Sequence, residues 1–255
     1  MARSPNWTKE ELVLALELYL ETPFSKISSN DPKVINLGDA IGRSSNAVAI
    51  KLANFARLDP DLNARKLSGM KNGSKLDIEV WNDFYSDWGR LATASSKIKK
   101  GLVSRKNKFD DFEEFDHSQE TEKNSNQRVR TKQGLFRKMV LASYNFKCCI
   151  SGFSNQSLLV ASHIVPWSQD NQHRLNPRNG VCLNSLLDRA FDVGLITILP
   201  TNFTVRVSER LLNDGSPEEV NFFNKYHDKP ILLPDRFPPK VEFLQFHNDK
   251  VFLAS

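Results

Sequence analysis

The stretch Leu158-Leu159-Val160-Ala161-Ser162-His163-Ile164-Val165-Pro166-Trp167 decides how the second half of this chain folds. Its apolar run leads into a histidine and then a proline, which reads as a short strand ending at His163. A polar loop from Ser168 to Arg178 follows and holds Asp170, Asn171, His173, Arg174, Asn176 and Pro177. Asn179-Gly180-Val181-Cys182-Leu183-Asn184 then reads as a return strand, and Leu186 to Phe191 as a short helix. A hairpin followed directly by a helix is the expected core of residues 131–255.

Downstream, Thr204-Val205-Arg206-Val207 and Val241-Glu242-Phe243-Leu244-Gln245-Phe246 both look like strands. Pro230, Pro234, Pro238 and Pro239 between them predict an irregular covering segment. Upstream the pattern is helical. Thr8 caps a first helix, with Glu11 placed for a capping box and Leu12, Ala15, Leu16 and Tyr19 on one face. Asp31-Pro32 opens a second helix that stops at Gly42, and Ser44 or Ser45 opens a third with Val48, Leu52 and Phe55 facing inward. Asn46, Lys51, Asn54 and Arg57 lie elsewhere on that helix and are expected to meet DNA. Residues 61–76 read as a loop, and Asp77 as the cap of a further helix over about 77–96 with Ile78, Trp81, Phe84, Tyr85, Trp88 and Leu91.

Residues 97–130 lose apolar periodicity and read as a charged linker, a basic block followed by the acidic, phenylalanine-punctuated run from Phe109 to Asp116. That run could imitate DNA on a basic surface, but its composition favours a solvated linker. The formal net charge is +5, and the surplus is N-terminal: 18 Lys and Arg against 12 Asp and Glu in residues 1–109, but 11 against 11 in 141–255. If DNA is the partner, phosphate attraction then belongs mainly to the first half. There is no apolar leader, no run long enough to span a membrane, and only three cysteines, which together point to a cytoplasmic protein without a disulfide framework or membrane partner.

The ordered elements Ala161-Ser162-His163-Ile164-Val165-Pro166-Trp167, Asn179-Gly180 and Phe191-Asp192-Val193-Gly194 resemble the HNH endonuclease family, in its bacterial restriction-type branch. Residues 6–60 resemble Myb-like and other helix-turn-helix modules; a plain three-helix packing module is the alternative. The resemblances imply an α+β protein, with a helical DNA-binding region over 1–96 and a ββα-metal nuclease domain over 131–255. They imply hydrolysis of phosphodiester bonds in double-stranded DNA to 5′-phosphate and 3′-hydroxyl ends, with a homodimer as the simplest way to cut both strands. His163 is the expected base, because histidine titrates near working pH and can take a proton from water. Asn179 would orient that histidine or brace its loop.

Asp188 and Asp192 stand four apart, so a helix puts them on one side, where they can share Mg²⁺ or Mn²⁺; Asp192 could instead simply close the helix. Ser162 occupies a position where many relatives place a stronger metal ligand, and Leu187 stands where close relatives show histidine. Leu187 motivates a rival, an inactive DNA-binding protein on the same scaffold; an RNA-directed nuclease is a second. Arg178, Arg189 and Lys147 flank the motif as candidate phosphate contacts. His173 is a loop residue that could touch phosphate, while His117, His227 and His247 have no assigned chemistry. Cys148, Cys149 and Cys182 lack the paired spacing of a zinc ribbon, so they are expected to be small core residues and no structural zinc is expected.

Overall fold

The computed structural model describes residues 6–67, 73–105, 123–170 and 172–254. The run from Phe109 to Asp116, His117 and Asn171 lie outside the described residues. The chain divides into two compact units, Met1–Leu135 and Phe136–Ser255. No helix among the described residues is long and apolar enough to cross a membrane.

The first unit is helical: α1 (Lys9–Glu21), α2 (Pro32–Ile41), α3 (Ser45–Leu58), α4 (Pro60–Ala64), α5 (Lys75–Phe84) and α6 (Trp88–Arg105). α1 begins with the Thr8–Glu11 capping box and is buried from Leu12 to Glu21, because α2, α3, α5 and α6 all pack around it. Tyr19, Phe55 and Trp81 meet at its centre, with ring centroids 6.1 to 6.3 Å apart. α2 stops at Gly42, whose φ of 71° is left-handed, and Ser44 starts α3 at once.

Three expectations change here. Residues 61–76 are not all loop, since α4 forms over Pro60–Ala64 behind its cap Asp59. Asp77 is not a cap but the third helical residue of a capping box begun by Ser74. The helix expected over about 77–96 is two helices: Ser86 has φ 81°, and Asp87 accepts from Arg90 N at 3.0 Å to start α6, which runs on to Arg105 into the expected linker.

α7 (Lys123–Ser143) leads into the second unit. β1 (Leu159–His163) and β2 (Gly180–Asn184) form an antiparallel hairpin with His163 opposite Gly180 and Ser162 opposite Val181. α8 (Ser185–Asp192) follows immediately, capped by Asn184 through Leu186 N and Leu187 N. β3 (Ile196–Ile198) pairs with β4 (Val205–Val207), and α9 (Glu209–Asp214), α10 (Pro217–Asn224) and α11 (Val241–Lys250) complete the unit. The alternation at 241–246 is therefore helix, not strand: Phe243, Leu244 and His247 are the buried positions, a helical spacing that a six-residue window cannot separate from a pleat.

Candidate active site

Successive side chains leave a strand on opposite faces. The register therefore puts Leu159, Ala161, His163, Gly180, Cys182 and Asn184 on one face of the hairpin and Val160, Ser162, Val181 and Leu183 on the other. α7 closes on the first face at Gly180, where a Cβ would come within 2.6 Å of Val140 Cγ2 and 2.8 Å of Phe136 Cζ. Only a glycine lets the helix approach that far. Phe136 then stacks flat on the His163 ring, 4.2 Å between centroids and 10° between planes, while Trp167 meets the same ring edge-on at 5.4 Å.

His163 Nε2 lies 2.9 Å from the carbonyl oxygen of Arg174. A carbonyl can only accept, so Nε2 carries the hydrogen and Nδ1 keeps its lone pair in the neutral ring. Burial lowers the pKa of His163 below the ordinary histidine value, against the opposing pulls of the Arg174 carbonyl and the Asp188 charge. The ring is thus neutral at neutral pH and able to take a proton at Nδ1.

Asn179 is completely buried and does not touch that ring. Its Oδ1 accepts from Val165 N at 2.8 Å, its Nδ2 donates to Val165 O at 3.3 Å, and its own carbonyl accepts from Ile164 N at 3.0 Å. It clamps the two residues after His163 and so braces the loop; of the two roles expected for it, direct orientation of the histidine is absent.

Asp188 is half-buried and Asp192 exposed, one turn apart on α8. Burial raises the pKa of Asp188, while the Ser162 hydroxyl, Arg189 and His163 work the other way. Burial and then repulsion from Asp188 raise that of Asp192. Ser162 Oγ is buried and makes no hydrogen bond, so it faces this carboxylate from outside bonding geometry. An orphaned hydroxyl near the Asp188 carboxylate, with Asp192 one helical turn further on, fits a small hard cation that takes one or two carboxylates and keeps several waters. Among the described residues no group of three or more His, Cys, Asp or Glu side chains is placed to hold a metal ion. Leu187 is fully buried in the hydrophobic core and turns away from them.

Among the flanking cations, Arg189 is exposed. Arg178 is engaged: it donates to the Pro238 carbonyl at 3.4 Å and sits 5.7 Å from the Phe237 ring centroid, which ties it to the proline-rich segment. His173 is held by Asp170, with Nδ1 2.6 Å from Oδ2. His247 lies in the core between Thr197 and the Phe191 carbonyl. Cys148, Cys149 and Cys182 are all buried, free and part of that core.

The expected DNA-facing side of α3 is corrected. Lys51 is buried and pairs with Asp77 at 2.8 and 3.1 Å, and Asn54 donates to the same carboxylate at 3.1 Å. Nε and Nη2 of Arg57 are buried as well. Asp77 needs these partners: burial works to raise its pKa, and the Lys51 and Ser74 bonds outweigh it and bring it below the ordinary value. Of the four α3 residues only Asn46 is exposed. A polar residue that faces away from one core stripe can still face a second element, and α5 is that element.

Three contributors to the site were missed: Phe136 as the stacking partner, Trp167 as the edge contact and Arg174 as the acceptor. Trp167 stood inside the quoted motif as an apolar residue close after the histidine; nothing in sequence marks the distant Phe136 or a backbone carbonyl as a partner.

Residues 148–199 match the family model described as HNH endonuclease, which covers the hairpin, α8, β3 and a fifth of the chain. Apart from Phe136 the site therefore lies within the residues that match an HNH endonuclease domain, and such a domain implies nuclease chemistry on a nucleic acid. No curated protein matches the chain.

Proposed function

We propose that this protein is a metal-dependent DNA endonuclease of the restriction or defence type, in which His163 activates the attacking water. The observation that carries the reading is the proton placement on His163: Nε2–H held by Arg174 O, Nδ1 available, and Asp188 within electrostatic reach inside an HNH domain. Nδ1 takes the proton of a water as that water attacks phosphorus. The negative charge of Asp188 favours the imidazolium so formed. Asn179 holds Ile164 and Val165 in place while this happens, and Phe136 keeps the ring from turning.

Ser162, Asp188 and Asp192 would hold Mg²⁺, or Mn²⁺ in its place. When bound, such an ion neutralises charge building on the phosphate and on the departing 3′-oxygen, giving 5′-phosphate and 3′-hydroxyl ends. Arg189, exposed on α8, is the proposed phosphate contact. One site cuts one strand, so duplex cleavage calls for two copies acting together. The helical first unit is the proposed targeting module, with Asn46 as the α3 side chain offered to DNA.

A second reading, a binding protein without catalysis, is favoured by the buried Leu187 and by the absence, among the described residues, of a three-ligand cluster. Supercoiled plasmid incubated with the protein and Mg²⁺ or Mn²⁺ separates the two, with single-stranded DNA and structured RNA run alongside. Nicking or linearisation that disappears in His163→Ala supports the proposal. Retained DNA binding without cleavage by the unaltered protein supports the second reading, and cleavage confined to RNA reassigns the substrate.

A further inference from the structure

The loop between β1 and β2 closes on itself through one side chain. Arg174 Nε donates to the Trp167 carbonyl at 2.7 Å, and its guanidinium lies 4.9 Å from the centroid of the Trp167 ring. Trp167 in turn meets His163 edge-on, and the main-chain oxygen of Arg174 itself receives His163 Nε2. Side chain and main chain of the same residue thus hold two corners of the histidine's surroundings. Within the loop, Asp170 Oδ1 accepts from Gln172 N at 2.9 Å and His173 N at 3.0 Å, which ties the two residues just before Arg174 back to Asp170. None of these bonds involves Ser162, Asp188 or Asp192.

The geometry points to Arg174 as a positioning residue that decides which nitrogen of His163 carries the proton. A backbone acceptor cannot be lost by substitution, but it can be moved. Without the guanidinium clamp on Trp167 the loop is free to withdraw its carbonyl from Nε2, and the ring then loses the bond that distinguishes its two nitrogens. This inference rests on the proposed role of His163 as base for its consequence in catalysis, though not for its consequence in structure.

The test is read on the full chain with ¹⁵N-labelled histidine, by imidazole nitrogen chemical shifts above the titration range, with the His163 signals assigned from their absence in His163→Asn. The unaltered protein is expected to show a single tautomer protonated at Nε2. Arg174→Ala is expected to show exchange between the two tautomers and, in the plasmid assay, a fall of about ten- to a hundredfold in kcat with KM little changed. Arg174→Lys keeps a cation over Trp167 and a donor in reach, and is expected to fall between the two in both readouts. If Arg174→Ala does not fold, Arg174→Lys alone decides, since any tautomer exchange in it supports the inference and a spectrum identical to that of the unaltered protein sinks it. A single Nε2–H tautomer in a folded Arg174→Ala protein overturns the inference whatever the activity. Absence of cleavage by the unaltered protein removes the nuclease reading and leaves the spectroscopic result standing.

Discussion

At the residue scale the carboxylate pair on α8 is a compromise between stability and chemistry. Both pKa values are raised by burial, and Asp188 pushes that of Asp192 further. Like charges one helical turn apart cost a few tenths of a kcal/mol. Asp192→Asn is therefore expected to raise the melting temperature of the metal-free protein slightly and to abolish any rise produced by Mg²⁺. A loss of stability on that substitution, measured by thermal denaturation in chelator, would contradict the arrangement. Asn179 presents the opposite case, with both ends of its amide bonded to Val165. Asn179→Leu leaves a buried N–H and carbonyl unpaired at about 1–3 kcal/mol each, and urea denaturation should show it.

At the element scale two glycines fix how close helices and chain ends can come. Gly180 admits α7 to the hairpin, so Gly180→Ala should lift Phe136 off His163 and cost about 1–3 kcal/mol by overpacking, with cleavage falling alongside. Gly194 is stricter: its φ is 76°, and a Cβ there would lie 2.1 Å from the Val251 carbonyl oxygen. Gly194→Ala should cost at least ~2 kcal/mol from the left-handed backbone and the clash together. The glycine that ends Phe191-Asp192-Val193-Gly194 was visible as a motif position, but the chain segment it makes room for lies 57 residues on and leaves no local trace. The same division holds elsewhere. Thr8, Asp31, Ser44 and Gly42 signal their helix ends because caps act within four residues. Lys51 and Asn54 were misplaced because Asp77, their partner, sits 26 and 23 residues away. The hairpin and the helix that carry His163, Ser162, Asp188 and Asp192 were legible since they follow one another directly in sequence; the acceptor for His163 was not.

For the whole molecule, pH acts first through a histidine that has no part in the proposed reaction. His247 donates from Nε2 to the Phe191 carbonyl at 3.1 Å, accepts the Thr197 hydroxyl at Nδ1 at 2.8 Å, and stacks on Phe191 at 3.7 Å. Burial lowers its pKa from 6.5 to about 4, against the Phe191 carbonyl. The unfolded chain therefore binds this proton more readily than the folded one. Its contribution to stability is complete above pH 6.5, declines as pH falls toward 4, and amounts to on the order of 3 kcal/mol. His163, shifted in the same direction, adds to the slope. Urea midpoints measured from pH 7 to pH 4 should fall in the unaltered protein and fall less in His247→Gln; equal slopes would assign the acid sensitivity to other groups.

The three buried cysteines give the second unit a built-in clock. Burial raises the Cys149 thiol well above its ordinary value and pushes Cys182 up to about 12, so neither offers a thiolate at neutral pH, and Cys148 is sealed in the same core. An alkylating reagent can reach them only when the hairpin parts from the elements packed on it. The labelling rate of the unmodified protein then times that opening without any engineered probe, and Mg²⁺ bound across α8 should slow it.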